Sequence, residues 1–416
     1  VPTVKAPTGL ASQPTTVVPE PSVLPPSDAT RTPRAVVRRL VLASVLLSLC
    51  SSALCLFVLE IFVGAGTRLS HVLMSWDASW WASLAVHGYW NPNGVGGGHD
   101  AYFPLLPLLE RYGHAVTGLS IAVVAVTSSI ALQAVAAGLL LLIARQNGVG
   151  NGQALGWVTL FVISPPVVFD VMGYDIAILC VFCFLGLFFQ QRGSLWLAAL
   201  SFGLASATNP LGIAFALGFV SWSLIDLATT RSVTPRSLLI LGGRAIVSLS
   251  GLAAYSLYLL VRFRAPLGFY EAASHWVEPR PISVILMNIV TFEPVRGSIT
   301  RWVASPDGHL SSLIDAATAL TAFALVVALI AAERGLRTLG FWVLVMSFAV
   351  VQVQCARFTW EVSTTRYILP VVFGVGAVKS VCQRFTRPRT FAVLAILLAC
   401  GTVYFLHNLA TGRWAD

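Results

Sequence analysis

Residues 31–63 read RTPRAVVRRLVLASVLLSLCSSALCLFVLEIFV: four arginines (Arg31, Arg34, Arg38, Arg39), then a long apolar run from Leu40 to Val63. A helix needs about 20 apolar residues to cross about 30 Å of hydrocarbon. A basic flank ahead of a first span predicts that the chain before it stays on the cytoplasmic side. Composition extends this reading to the whole chain. Of 416 residues 56% are hydrophobic and only 10% are charged, and the mean hydropathy is +0.80. A soluble domain carries about 25% charged residues. The 26 Lys+Arg and 17 Asp+Glu present here are too few to cover a soluble body of 44.5 kDa. A conventional water-soluble enzyme is excluded.

Upstream of the run, residues 1–34 are a different material, with Pro2, Pro7, Pro14, Pro19, Pro21, Pro25, Pro26 and Pro33 set among Ser, Thr and Ala. Such a stretch cannot bury a core and is expected to be a disordered cytoplasmic tail, and it lacks the charged-then-apolar order of a secretory signal. Residues 35–416 are expected to form one membrane domain. Within it, apolar segments fall at about 40–63, 115–143, 153–169, 174–190, 195–208, 211–228, 239–261, 312–332, 338–355, 366–381 and 390–408. That predicts an all-α polytopic bundle of about eleven spans. Asn209-Pro210 breaks residues 195–228 into two tilted helices or one re-entrant hairpin, and either choice keeps the same parity downstream.

Charge supports the count. Segments predicted on the cytoplasmic side hold Arg145, Arg192, Arg231, Arg236, Arg244, Arg334, Arg337, Lys379, Arg384, Arg387 and Arg389, with only Asp226 and Glu333 nearby. Two long loops, about 64–114 and 262–311, are predicted outside and hold seven of the 17 acids. The net charge of +9 and pI near 9.5 therefore reflect basic cytoplasmic loops. No basic run has the interleaved aromatics that stack on bases, so no nucleic-acid partner is expected. The seven cysteines sit mostly in apolar stretches. Cys180-x-x-Cys183 has no charged neighbour to make a thiolate, so these residues read as small hydrophobes.

The polar residues that remain gather on the predicted outer side. The first loop holds Ser75-Trp76-Asp77-Ala78-Ser79-Trp80-Trp81, Gly88-Tyr89-Trp90, a glycine-rich stretch 94–98, then Asp100, Tyr102 and Phe103-Pro104-Leu105-Leu106-Pro107. An aspartate among tryptophans at the lipid boundary reads either as a helix cap in an aromatic belt or as a carboxylate placed to take a proton from a sugar hydroxyl. Asp170, Tyr174, Asp175, Asn209, Arg262, Arg264, His275, Trp276, Glu278, Arg357, Arg366 and Tyr367 fall in further turns on the same side. Acids near a membrane interior are expensive, so their convergence points to function.

These residues resemble the PIG-V-type mannosyltransferases, relatives of the second mannosyltransferase of GPI-anchor assembly. The likeness rests on Trp76-Asp77…Trp80…Gly88-Tyr89…Phe103-Pro104-Leu105-Leu106-Pro107. It continues in order through Ser164-Pro165…Tyr174-Asp175, Phe269-Tyr270-Glu271-Ala272…Trp276 and Arg366-Tyr367, covering about residues 70–375. Two departures stand out: Asp175 where the family pattern has Glu, and Ala207-Thr208-Asn209-Pro210 where it has an arginine-containing segment.

The resemblance implies a GT-C-like bundle, an enzyme that takes a sugar from a polyprenyl-phosphate donor for a lipid-linked glycan acceptor on the non-cytoplasmic face. A lipid-linked donor also accounts for the lack of a nucleotide-phosphate loop. A phosphate leaving group needs no strong general acid, so one carboxylate base suffices. On that reading Asp77 is the base, working with inversion. Arg366, with Arg262 or Arg264, holds the donor phosphate, since guanidinium matches phosphate oxygens in a fork. Trp76, Trp80, Asp100, Tyr102, Asp175, Asn209, His275, Trp276 and Tyr367 are candidate substrate contacts. No cofactor or metal is expected, since no carboxylate set has metal-ligand spacing. The rivals are a GT-C enzyme using another polyprenyl-linked sugar such as arabinose, and a lipid or glycolipid transporter or flippase, which should show inverted repeats and helix breaks at the midplane.

Overall fold

The computed structural model describes residues 34–64, 67–89, 98–229, 233–278, 280–331, 335–359, 361 and 363–412. Residues 1–33 of the expected tail, Trp90, the glycine stretch 94–97, and Arg231, Glu333 and Arg334 lie outside them. Contacts divide the chain into a unit ending at Arg38 and a body that starts at Arg39. Among the described residues the structure is entirely helical, and the chain is a multi-pass membrane protein.

Six helices are long and apolar enough to cross a bilayer: α1 (Arg34–Phe62), α5 (Ile121–Gln146), α10 (Pro210–Thr229), α16 (Pro306–Ala331, apolar from Leu310), α17 (Leu339–Phe358) and α20 (Pro388–Thr411). Three bent pairs raise the number to nine if each is one span: α11 (Pro235–Ser248) with α12 (Ser250–Phe263) at 59°, α14 (Ile282–Val290) with α15 (Glu293–Ala304) at 71°, and α18 (Thr364–Gly376) with α19 (Lys379–Phe385) at 113°. Against the eleven expected spans the α14–α15 pair is gained, and three, all in residues 153–208, are lost. There the chain forms α6 (Asn151–Val162), α8 (Ile176–Gln191) and α9 (Leu195–Ala205), of 12, 16 and 11 residues. At 1.5 Å per residue, none of the three spans about 30 Å. Turn chemistry cuts them short. Ser164-Pro165-Pro166 follows α6 and leads into the single turn α7 (Val167–Asp170), and Asn209-Pro210 separates α9 from α10.

The stretches 64–114 and 262–311, expected as long loops, are largely helical. The first folds as α2 (Leu69–Leu73), α3 (Asp77–His87) and the start of α4 (Leu105–Thr117); the second as α13 (Gly268–Glu271), α14 and α15. Sequence reading missed the α14–α15 pair because the bend at Phe292 (φ 53°) splits an apolar nine-residue helix from a polar one.

Packing follows lipid logic. On α1 the buried residues are Ser44, Ser48, Ser52, Cys55 and Leu59, at helical spacing, while Leu42, Leu46, Leu54, Phe57 and Ile61 on the other faces are exposed. Between helices in a bilayer, small residues allow close approach and large apolar ones gain nothing by leaving lipid. The pair α10–α17 shows the same principle: a Cβ on Gly218 would stand 2.8 Å from the Val343 Cα. All seven cysteines are free, and Cys180 and Cys183 pack in the core as expected.

Candidate active site

The turn into α3 passes through Trp76 at φ 55°, a backbone value that costs a bulky residue about 1–3 kcal/mol and recurs at functional sites. Asp77 then opens the helix, where the helix dipole favours a carboxylate. Its Oδ1 accepts a hydrogen bond from the Tyr102 hydroxyl at 2.9 Å, and its Oδ2 accepts from Arg366 Nη1 at 3.0 Å. Burial and the neighbouring Asp77 carboxylate hold the Tyr102 phenol well above its ordinary range, so it stays a donor. Asp77 and Arg366 are 289 positions apart, so this contact is made by the fold alone.

Arg366 sits in the first turn of α18, with its side chain only 7% exposed. Its guanidinium lies over the rings of Phe169, Tyr174 and Tyr367, with centroids 5.1, 5.3 and 4.6 Å away, and also donates to the Tyr367 hydroxyl. Rings packed on a planar cation fix its direction as well as shielding it. Asp175, at the head of α8, accepts from Asn209 Nδ2 at 2.9 Å. Asn209 Oδ1 in turn accepts from Leu211 N and Gly212 N, capping α10. A Cβ on Gly212 would collide with the Ala205 carbonyl, so this turn requires glycine. The break at Asn209-Pro210 thus ties the heads of two helices beside the Asp77–Arg366 pair.

These groups line one cavity of about 1060 Å³. One wall is aromatic. Trp80 stacks on Tyr102 with centroids 5.8 Å apart and planes 12° apart, and Trp276 meets both rings edge-on at 6.2 and 6.0 Å. Trp81, 3% exposed, packs on Tyr102 and Tyr174 behind them. The opposite wall comes from α16, α17 and the link to α18 and carries Ser311, Ser312, Asp315, Gln354, Glu361 and Thr365. Glu361 accepts from Gln352 Nε2 and the Thr364 hydroxyl, and its backbone N–H donates to Ser298 Oγ at 2.8 Å. Burial raises the Glu361 carboxyl above its usual value, against these hydrogen bonds.

The cavity therefore gathers Asp77, Trp76, Trp80, Tyr102, Asp175, Asn209, Trp276, Arg366 and Tyr367 from the sequence-based set. Four others lie elsewhere. Arg262 and Arg264 are exposed at the end of α12, where cations complement the C-terminal end of the helix dipole. His275 packs edge-on against Trp80 and Trp276, outside the lining. Asp100 is 2% exposed and also outside it, its carboxyl raised by burial, with its backbone carbonyl held by the Tyr255 hydroxyl at 2.8 Å. The lining arginines besides Arg366 are Arg301 and Arg357. Arg357 is 7% exposed and lies over the Tyr270 ring at 4.5 Å, and its Nε has no partner. Arg357 stood out in the sequence only by its turn; Arg301 was hidden in the stretch read as a loop. Among the described residues, no three of His, Cys, Asp and Glu group as metal ligands.

No family model matches the chain, and no curated protein matches it. Several solved structures are similar, these three among them. One is the ArnT of Cupriavidus metallidurans bound to undecaprenyl phosphate, at 14% identity and TM-score 0.47, covering 89% of this chain and 75% of that one. Another is the Archaeoglobus fulgidus oligosaccharyltransferase in complex with zinc and sulfate, at 12% and 0.41, covering 88% and 53%. The third is the S. cerevisiae protein O-mannosyltransferase Pmt1-Pmt2 complex bound to its sugar donor, at 17% and 0.31, covering 52% and 36%. The chain thus spans about a third and about half the length of the last and the second. At these identities and scores all three are distant likenesses.

Proposed function

We propose that the protein is a membrane glycosyltransferase of the GT-C class. It transfers a sugar, mannose by the residue resemblance, from a polyprenyl phosphate to a lipid-linked glycan. The observation that carries this reading is a half-buried carboxylate, held by a fixed arginine and a phenol, in a membrane-embedded cavity walled by tryptophan and tyrosine rings. Rings of that kind shape a sugar site, and a carboxylate placed beside it can act as a general base.

In this mechanism the Asp77 carboxylate takes the proton of an acceptor hydroxyl. The hydroxyl oxygen attacks the anomeric carbon of the donor, and the bond from that carbon to the phosphate oxygen breaks from the opposite face. The configuration inverts, and polyprenyl phosphate leaves as the anion. Arg357 and Arg301 are the phosphate-holding groups in place of Arg262 and Arg264, and they stabilise charge as it grows on the leaving oxygen. Arg366 keeps Asp77 oriented.

The site is assigned to the non-cytoplasmic face. Helices α8 and α10 start beside Asp77, and α8 ends at Arg192, in keeping with basic residues at the opposite, cytoplasmic end.

Transfer from synthetic polyprenyl-phosphate mannose to a lipid glycan tests the chemistry. Asp77→Asn is expected to lose about two to four orders of magnitude, the scale of a general base. Unchanged transfer overturns the assignment, and a panel of donors, arabinose included, reads the sugar. For sidedness, a membrane-impermeant thiol reagent should label a cysteine replacing Glu278 on intact cells and spare one replacing Arg192. The reverse pattern would invert the orientation.

A further inference from the structure

The α16 wall of the cavity has hydrogen-bonding capacity that the protein leaves unused. Ser312 is 6% exposed and lines the cavity, and its hydroxyl has no partner among the described residues. Asp315, three positions on and so on the same helical face, is also 6% exposed. Its Oδ1 accepts the Thr365 backbone N–H at 2.6 Å and the Thr365 side chain also bonds the carboxylate, which leaves acceptor sites of the carboxylate to spare among the described residues. Gln354 of α17, half-buried, lines the same cavity, its amide likewise unbonded among the described residues. Three polar side chains that face one cavity with donor and acceptor sites to spare point to a polar occupant.

The chemistry narrows that occupant. A prenyl tail offers no donors, and a phosphate would meet the Asp315 carboxylate. A free ammonium would meet the lining guanidinium groups as well as the acids. Paired hydroxyls suit the set best: one donates to the Asp315 carboxylate, the next exchanges with the Ser312 hydroxyl, and the Gln354 amide serves either role. The place is also telling. Thr365, which Asp315 holds, immediately precedes Arg366, which holds Asp77. A polyol gripped here lies one residue along α18 from the guanidinium that orients the base.

We infer that Ser312, Asp315 and Gln354 form the acceptor subsite, and that it takes the hydroxyls of a neutral sugar or polyol head group. This rests on the glycosyltransferase reading above, and the test separates the two. Purified protein in lipid nanodiscs is given polyprenyl-phosphate mannose with octyl mannoside as acceptor. Release of free mannose without acceptor is measured in parallel. Ser312→Ala and Asp315→Asn, the second keeping an oxygen for the Thr365 N–H, are each expected to raise the KM for octyl mannoside about tenfold, the scale of one buried hydrogen bond. Both should raise the acceptor KM by a larger factor than they change kcat, the donor KM or acceptor-free release of mannose, the signature of weakened acceptor binding.

Wild-type transfer with an unchanged acceptor KM in both variants overturns the subsite and leaves the enzyme reading standing. Neither release nor transfer by the wild type overturns both. Octyl 2-amino-2-deoxymannoside provides the last arm. If it is preferred over octyl mannoside, and the preference vanishes in Asp315→Asn, the ligand is an amine and the polyol class is wrong.

Discussion

Asp77 and Glu110 are both carboxylates in the part of the chain between α1 and α5, and the protein treats them in opposite ways. Asp77, with a side chain 31% exposed, receives a phenol on one oxygen and a guanidinium on the other. Glu110, on the short amphipathic helix α4, is fully buried beside Gly173, and neither of its oxygens has a hydrogen-bond partner among the described residues. Burial pushes its carboxyl up to about 8. A carboxylate stays charged where fixed donors replace water, and takes up a proton where nothing does. Of the two, only Asp77 lines the cavity with both oxygens hydrogen-bonded.

The largest expected effect breaks the contrast directly: Asp77→Asn abolishes nearly all transfer, while Glu110→Gln, assayed alongside, retains it. An equal loss in both would show that any buried carboxylate in this region matters, and that the pairing does not. Next in size is Arg366→Lys. Lysine keeps the charge but loses the fork, the contact to the Tyr367 hydroxyl and the flat face against three rings. Transfer should fall about ten- to a hundredfold, the equivalent of a charge-assisted hydrogen bond of about 1.5–3 kcal/mol. Full activity in the lysine variant would reduce Arg366 to a counter-charge.

The smallest effect concerns stability. Below pH 4.5, the ordinary value for Glu110, both folded and unfolded chains hold the proton and the group contributes nothing to any pH dependence. Between 4.5 and about 8 the unfolded chain releases it and the folded chain does not. Stability therefore falls as pH rises, by up to about 1.4 kcal/mol per unit, and levels off above that window. Thermal unfolding of wild type across pH 5–8 should show that slope, and Glu110→Gln should flatten it. Identical slopes would mean that Glu110 is ionised and paired in the folded protein.

The sequence was most readable where lipid dictates it. Each of the eleven apolar segments falls on a helix or a bent pair, because only internally bonded backbone survives in hydrocarbon. Length was less readable than existence: the proline turn at Ser164-Pro165-Pro166 and the break at Asn209-Pro210 shorten helices whose apolar runs look continuous. Asp77 and Arg366 stood out because charge is scarce here, yet their pairing across 289 positions has no local trace. Asp100 sits in a polar loop as a sequence and is buried away from the cavity as a structure, since nothing local records which way a loop folds back. Ser312 and Asp315 were hidden for the converse reason. They begin an apolar run and look like its frayed end, and only the packing of α16 on α18 turns them toward the cavity.

Gly218 has one further consequence. Its neighbour Leu217 and the α17 residues Met346, Ala349, Val350 and Val353 line the cavity, and Val343 lies one turn below Met346. The point where α10 and α17 touch thus lies one turn from the cavity lining, and the two helices come this close because residue 218 carries a hydrogen where any other amino acid carries carbon. The spacing of two helices that wall the chamber is gauged by that one atom.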